Sequence, residues 1–147
     1  MHTSAGAAAT DLILETFRFN GRLLAAGDRL TADQGLTSAR WQVLGAIEDA
    51  PASVAQIARD MGLTRQAVQR LANELAADGF VAFAENPQHR RAKLVRLTET
   101  GAGSLRTVMR RQAAWSNQLA EGIAAKDLHT ALTVIRTLRE RLDADPA

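Results

Sequence analysis

The sequence contains no cysteine, and several other features are missing from it as well. Without cysteine there can be no disulfide, no zinc–thiolate site and no thiol-based redox sensor. No apolar run approaches the roughly 18 residues that a membrane-spanning helix needs. The first residues also lack the basic-then-apolar order of a signal peptide. We therefore expect a cytoplasmic protein that does not enter a membrane.

Motifs typical of enzymes are missing too. The three histidines, His2, His89 and His129, form no i, i+4 pair of the kind that binds zinc on a helix. The sequence has no glycine-rich phosphate loop and no G-x-S-x-G nucleophile motif. We expect no catalytic activity, no cofactor and no metal site.

The 147 residues have the composition of a globular protein, with 46% hydrophobic and 23% charged residues. The net charge is only +2, but the basic residues are concentrated in the middle of the chain. Residues 1–58 carry four basic and six acidic side chains, residues 59–98 seven and four, and residues 99–147 seven and six. Because lysine and arginine neutralise phosphates, this distribution is a modest indication of nucleic-acid binding. Taken alone, such an excess more often marks a solvated surface.

Capping residues and hydrophobic periodicity locate the first two helices. Residues 1–9 are small and polar, so we expect a flexible tail there. A long amphipathic helix is predicted to begin at Thr10 or Asp11. Thr37 is the expected N-cap of a second helix, which should end near Asp49.

Two short helices joined by a tight turn are predicted next. Ser53 and Gln56 have the spacing of a capping box at the start of a third helix. Gly62 is placed to end that helix, and Thr64 to cap a fourth helix that stops at Gly79. This arrangement is typical of a helix-turn-helix.

A β-hairpin is predicted after the fourth helix. Residues 80–85 and 93–97 alternate in the manner of strands, and the loop between them becomes basic at Arg90 and Arg91. An extended arginine can enter a narrow minor groove, where the negative potential is enhanced. Lys93 is better placed to contact phosphates. A basic turn without function is the alternative.

The fourth helix has two chemically different faces. One face is apolar and must be buried: Val68, Leu71, Ala72 and Leu75. The opposite face presents amide and guanidinium groups at i, i+3, i+4 and i+7: Gln66, Gln69, Arg70 and Asn73. These groups suit base edges in the major groove, where arginine contacts guanine and amides contact adenine. A solvated amphipathic helix is the alternative, but the capped helix before it and the basic hairpin after it favour DNA.

We therefore predict a DNA-binding surface formed by the start of the third helix, the polar face of the fourth helix and the hairpin. Its residues are Ser53, Thr64, Arg65, Gln66, Gln69, Arg70, Asn73, Arg90, Arg91 and Lys93.

Three segments resemble the MarR family of transcription regulators. They are residues 53–58 (SVAQIA), 63–71 (LTRQAVQRL) and 90–101 (RRAKLVRLTETG). The most specific part is the hairpin running into V-x-L-T-x-x-G. The resemblance implies a homodimer whose N- and C-terminal helices interlock and whose two winged helices bind a pseudo-palindromic operator. It also implies repression that is relieved by a small aromatic acid or phenol.

One position departs from the family pattern. The family hairpin commonly reads D-x-R, in which the aspartate braces the loop and the arginine enters the minor groove. Arg91 occupies the arginine position, but His89 stands where the aspartate would be. The resemblance therefore extends to the minor-groove role of Arg91 and not to the bracing of the loop.

The predicted fold is mainly α with a small β-hairpin wing. Residues 35–98 form the winged helix-turn-helix, and residues 10–34 and 99–147 form a helical dimerisation region. The first helix, a fifth helix capped by Thr98 and a sixth helix near residues 126–142 carry more apolar surface than a small winged helix could cover. An intramolecular helical hairpin is the alternative to a dimer. The alternative to DNA binding is a winged helix that binds another protein.

Overall fold

The structure is a computed structural model that describes residues 1–145. These residues form six α-helices and three short β-strands. The prediction of a mainly helical protein with a small hairpin wing is confirmed. The elements in chain order are α1 (Ser4–Thr31), a 3₁₀ turn (Ala32–Gln34), α2 (Ser38–Ala46), β1 (Ala52–Ser53), α3 (Val54–Met61), α4 (Arg65–Ala77), β2 (Val81–Ala84), β3 (Leu94–Leu97), α5 (Glu99–Leu119) and α6 (Ala125–Ala144).

The first helix begins earlier than the sequence predicted. Thr3 is its N-cap, and the Thr3 Oγ1 accepts a hydrogen bond from the Gly6 N–H at 3.0 Å. The predicted start at Thr10 or Asp11, and with it a flexible tail over residues 1–9, is wrong. The residues from 5 to 9 are four alanines and one glycine, and alanine has the highest helix propensity, so the helix extends back to the first available cap.

Polar side chains fix the joint between α1 and α2. Thr31 is fully buried, and its Oγ1 bonds the carbonyl oxygens of Gly27 (2.8 Å) and Leu36 (3.0 Å). The Asp28 Oδ1 accepts a hydrogen bond from the Ser38 N–H at 2.8 Å, at the positive end of α2. Buried and partly buried hydrogen bonds therefore set the direction in which α2 leaves α1.

The helix-turn-helix forms as its capping residues predicted. Gly62 has the left-handed conformation (φ 65°), and the Leu63 N–H returns to the Ala58 carbonyl at 3.0 Å to close α3. The Thr64 Oγ1 then accepts a hydrogen bond from the Ala67 N–H at 3.1 Å and starts α4. The turn between the two helices is therefore encoded locally.

The wing is a three-stranded antiparallel sheet in the order β1–β3–β2. β2 pairs with β3 in a register that joins Val81 to Leu97 and Ala84 to Leu94. β1 pairs with the other edge of β3 and was not predicted, because a two-residue strand has no periodicity.

One hydrophobic core joins α2, α3, α4, the sheet and the first half of α5. The apolar stripe predicted for α4 is buried in full. α5 contributes Leu105 and Val108, and the wing contributes Val81 and Val95. With this stripe inside the core, α4 can only turn its polar face outward.

An ion pair ties α5 to the end of α1. The Arg111 guanidinium binds both carboxylate oxygens of Asp33, one of them at 2.6 Å, and donates to the Leu30 carbonyl at 3.2 Å. The hydrogen bond from Arg111 holds the pKa of Asp33 below its ordinary value. Because both side chains are exposed, the pair orients α5 more than it stabilises the fold.

The chain separates into two compact units, Met1–Arg111 and Gln112–Ala147. Within the described part of the second unit, α6 has no buried residue. None of the helices described here is both long and apolar enough to cross a membrane. Residues 1–145 also contain no cluster of three or more side chains suited to a metal ion.

Candidate nucleic-acid interface

A cleft of about 570 Å³ lies between α4 and the wing, and we call it the α4–wing cleft. Three parts of the fold line it: the start of α3, the polar face of α4, and the wing. The lining residues are Ser53, Val54, Ala55, Arg65, Gln66, Gln69, Asn73, Phe83, Arg91, Ala92 and Lys93. Seven of the ten residues predicted to bind DNA are therefore brought together at one place.

The other three predicted residues lie outside the cleft. The Thr64 hydroxyl oxygen accepts the capping hydrogen bond of α4. Arg70 is exposed on α4, and Arg90 is exposed in the loop of the wing. Thr64 therefore caps a helix, and the guanidinium groups of Arg70 and Arg90 lie on the outer surface.

The amides on the polar face of α4 are ordered by a bond within the helix. The Gln69 Nε2 donates to the Asn73 Oδ1 at 2.9 Å, one turn further along. In the described structure the Asn73 amide NH₂ and the Gln69 side-chain carbonyl oxygen make no hydrogen bond within the chain. An adenine edge bonds one donor and one acceptor, and the two amides together retain one of each.

The start of α3 forms one wall of the cleft. Ser53 is the N-cap, and its Oγ accepts a hydrogen bond from the Gln56 N–H at 3.2 Å. The predicted capping box is only half formed, because the Gln56 Oε1 accepts a hydrogen bond from the Arg59 guanidinium at 2.6 Å instead of from the Ser53 N–H. The first-turn N–H groups of Val54 and Ala55 have no partner within a helix, and such groups attract phosphate oxygens.

The loop of the wing is held by Asn86. The Asn86 Oδ1 accepts a hydrogen bond from the Gln88 N–H at 3.1 Å, and its carbonyl oxygen accepts one from the His89 N–H at 3.1 Å. A second turn follows, in which the Ala92 N–H donates to the His89 carbonyl at 3.3 Å. The loop is therefore braced by Asn86 and by backbone groups, without an aspartate at position 89.

The charge of the α4–wing cleft is uniformly positive. Arg65, Arg91 and Lys93 are among its lining residues, and none of the lining residues is acidic. A concave surface with basic side chains attracts polyanions and concentrates them at short range. The combination of these cations with amide groups suits duplex DNA better than a small anion.

The sequence missed four of the lining residues: Val54, Ala55, Phe83 and Ala92. The first two could have been found, since they directly follow the Ser53 N-cap and must carry the free N–H groups of α3. Phe83 depends on the register of β2 against β3, where it faces Val95 across the ladder. That register sets which face of the hairpin meets α4, and sequence alternation alone does not determine it.

Comparisons with known proteins agree with this architecture. The profile of the MarR family matches residues 34–92. An uncharacterised protein of Mycobacterium tuberculosis is 35% identical over 134 residues, which cover 91% of this chain and 94% of the relative. The transcriptional activatory protein BadR of Rhodopseudomonas palustris is 31% identical over 97 residues, covering 63% and 55% of the two chains.

A solved structure has the same fold along almost its whole length. The transcriptional repressor CouR, bound to a 23-mer DNA duplex, superposes with a TM-score of 0.78, at 20% identity and with 95% and 99% of the two chains covered. The members of this family are transcription regulators and not enzymes. Together with the order of its elements, these matches show that the chain belongs to the MarR family of winged-helix transcription regulators.

Proposed function

We propose that this protein binds a pseudo-palindromic DNA operator as a homodimer and acts as a ligand-responsive repressor in the cytoplasm. α4 enters the major groove, and Arg91 enters the adjacent minor groove. The observation that carries the proposal is the α4–wing cleft, which gathers the amides of α4 and the cations of the wing on one open surface. Amides and guanidinium groups supply base contacts, and the first turn of α3 supplies phosphate contacts.

Uncovered apolar side chains support the homodimer. On α1 they are Ile13, Leu14, Phe17, Phe19, Leu23 and Leu24. On the second half of α5 and along α6 they include Leu119, Leu128, Leu132, Val134, Ile135 and Leu142. A twofold partner would cover such surfaces, and it would place the two recognition helices about 34–36 Å apart, one turn of DNA.

Repression and ligand response rest on the family resemblance. CouR is described as a repressor and BadR as an activatory protein, so both directions of control occur among the proteins similar to this one. We propose repression that is relieved by a small aromatic acid or phenol. A reporter gene behind the bound DNA sequence, measured with and without added benzoate-type compounds, tests both the direction and the ligand.

Arg70→Ala tests base recognition by α4. Duplexes that bind the wild-type protein are first selected from a random-sequence pool, and binding to the enriched sequence and its single-base variants is then measured by fluorescence anisotropy. If Arg70 contacts a guanine, its loss weakens binding to the enriched duplex by about 1–3 kcal/mol and removes the preference at one base position of each half-site.

Arg18→Ala is the matched control, because Arg18 is exposed on α1 and its guanidinium binds Glu15 in the same helix. This variant should bind every duplex as the wild type does. An equal loss on all sequences for Arg70→Ala would make Arg70 a phosphate contact. No enriched sequence with the wild-type protein would refute specific DNA binding.

A further inference from the structure

The acidic side chains at the end of the recognition helix share one partner. Glu74 lies in the last turns of α4 and Asp78 is its C-cap, and no other acidic residue occurs between Arg65 and Asp78. Both carboxylates bind Arg40 of α2, Glu74 at 3.2 Å and Asp78 at 2.9 Å. One guanidinium from the neighbouring helix thus holds both negative charges of α4.

Arg40 is well placed to hold them. Its side chain is only 20% exposed, and the same Nη1 that binds Asp78 also donates to the Gly35 carbonyl at 3.4 Å. This extra contact anchors the guanidinium to the chain before α2. The two carboxylates are therefore drawn toward α2, on the flank of α4 that adjoins the buried stripe.

Without Arg40, Glu74 would have a different cation within reach. Arg70 lies four residues before Glu74 on the same helix, and side chains at i and i+4 meet and form ion pairs. Arg70 has no ion pair within the chain in the described structure, whereas Glu74 is bound to Arg40. An ion pair with Glu74 would compete with any contact between Arg70 and DNA.

We propose that Arg40 is a positioning residue for DNA binding, which keeps Glu74 away from Arg70. The proposal rests on the proposed function, because its effect is expressed only when α4 binds DNA. A purely structural tether between α2 and α4 is the competing account. Because the Glu74 and Asp78 carboxylates are 40% and 51% exposed, their ion pairs contribute little to folding, and the two accounts differ mainly in their effect on affinity.

The test compares four variants on the duplex that the wild-type protein selects from a random-sequence pool. Arg40→Met should weaken binding about tenfold, because the freed Glu74 pairs with Arg70 and faces the phosphates. Adding Glu74→Gln should restore the affinity to within about threefold of wild type, since the amide neither pairs nor repels. Adding Asp78→Asn instead should leave the tenfold loss, because Asp78 lies two turns from Arg70.

Glu74→Gln alone gives a test that does not depend on how Arg40→Met folds. With Arg40 in place the carboxylate is already held, so the affinity should stay within about twofold of wild type. A tenfold gain would show that Arg40 does not shield Glu74 and would overturn the proposal.

The remaining outcomes are also decisive. Unchanged binding by Arg40→Met, or double variants that are equally weak, would make Arg40 a structural tether only. Those results would leave the DNA-binding function intact, because the wild-type protein still binds the duplex. A wild-type protein that enriches no duplex would remove the proposed function, and this inference with it.

Discussion

Gly101→Ala should destabilise the protein by about 3 kcal/mol or more, as expected for an atom forced into a packed backbone contact. A Cβ at this position would lie 1.9 Å from the carbonyl oxygen of Phe80 and 2.9 Å from its carbonyl carbon. The backbone of Phe80 cannot retreat. Its carbonyl accepts hydrogen bonds from the N–H and Oγ1 of Thr98, and its N–H donates to the Leu75 carbonyl at 2.9 Å.

Gly103→Ala is the matched control in the same helix. A Cβ there would meet only the far end of the Arg106 side chain, at 3.8 Å. Alanine should therefore be neutral or should stabilise α5 by about 0.5–1 kcal/mol through its higher helix propensity. Thermal unfolding followed by circular dichroism separates the two variants, with Gly101→Ala melting about 10 °C below wild type. Equal melting temperatures would contradict the close approach of α5 to the wing.

Leu132→Glu combined with Ile135→Glu should convert the proposed homodimer into single chains. The two side chains lie on one face of α6 and are 42% and 43% exposed in the single chain, so no other part of the chain buries them fully. In a twofold interface each substitution occurs twice. Four side chains that lose about 1 kcal/mol each would weaken association by about 4 kcal/mol, a thousandfold, before the cost of burying the charges is added.

Thr133→Glu is the control on the opposite face of α6, where the Thr133 hydroxyl bonds the His129 carbonyl within the helix. This variant should keep the mass of two chains in light scattering at micromolar concentration. A two-chain mass for the double variant would show that α6 does not form the interface. A one-chain mass for the wild-type protein would contradict dimerisation altogether.

The helix-turn-helix could be predicted from the sequence because its determinants are local. Ser53, Gly62 and Thr64 act on groups within five residues of themselves, and the structure places each of them as expected. The apolar stripe of α4 could also be predicted from the sequence, since a period of 3.6 residues separates the buried face of the helix from its polar face. These elements position most of the residues that line the α4–wing cleft.

The V-x-L-T-x-x-G segment carried the family resemblance, and the structure gives its physical reason. The Thr98 Oγ1 accepts a hydrogen bond from the Gly101 N–H at 3.1 Å and bonds the Gly79 carbonyl at 2.6 Å. Gly101 then provides the space in which Phe80 approaches α5. The motif therefore joins the wing to α5, and its hydrogen bond from Thr98 to Gly79 spans 19 positions of the chain.

The features that the sequence did not predict depend on contacts between distant segments. β1 exists only because β3 lies beside it, and Arg40 reaches Glu74 across 34 positions of the chain. No periodicity or cap marks such a pair in advance. The bracing of the wing by Asn86 was missed for another reason. The family pattern places the brace at position 89, three residues further along the chain.

The salt dependence of DNA binding tests the central claim most directly, namely that α4 and the wing bind duplex DNA through amide and basic side chains. Anisotropy titrations of the enriched duplex between 50 and 200 mM salt should give a linear fall of log affinity with log salt concentration. The expected slope is about 0.9 for each phosphate contacted, and the affinity should drop by a factor of about a thousand if six phosphates are contacted. An affinity that does not change over this range would contradict the claim.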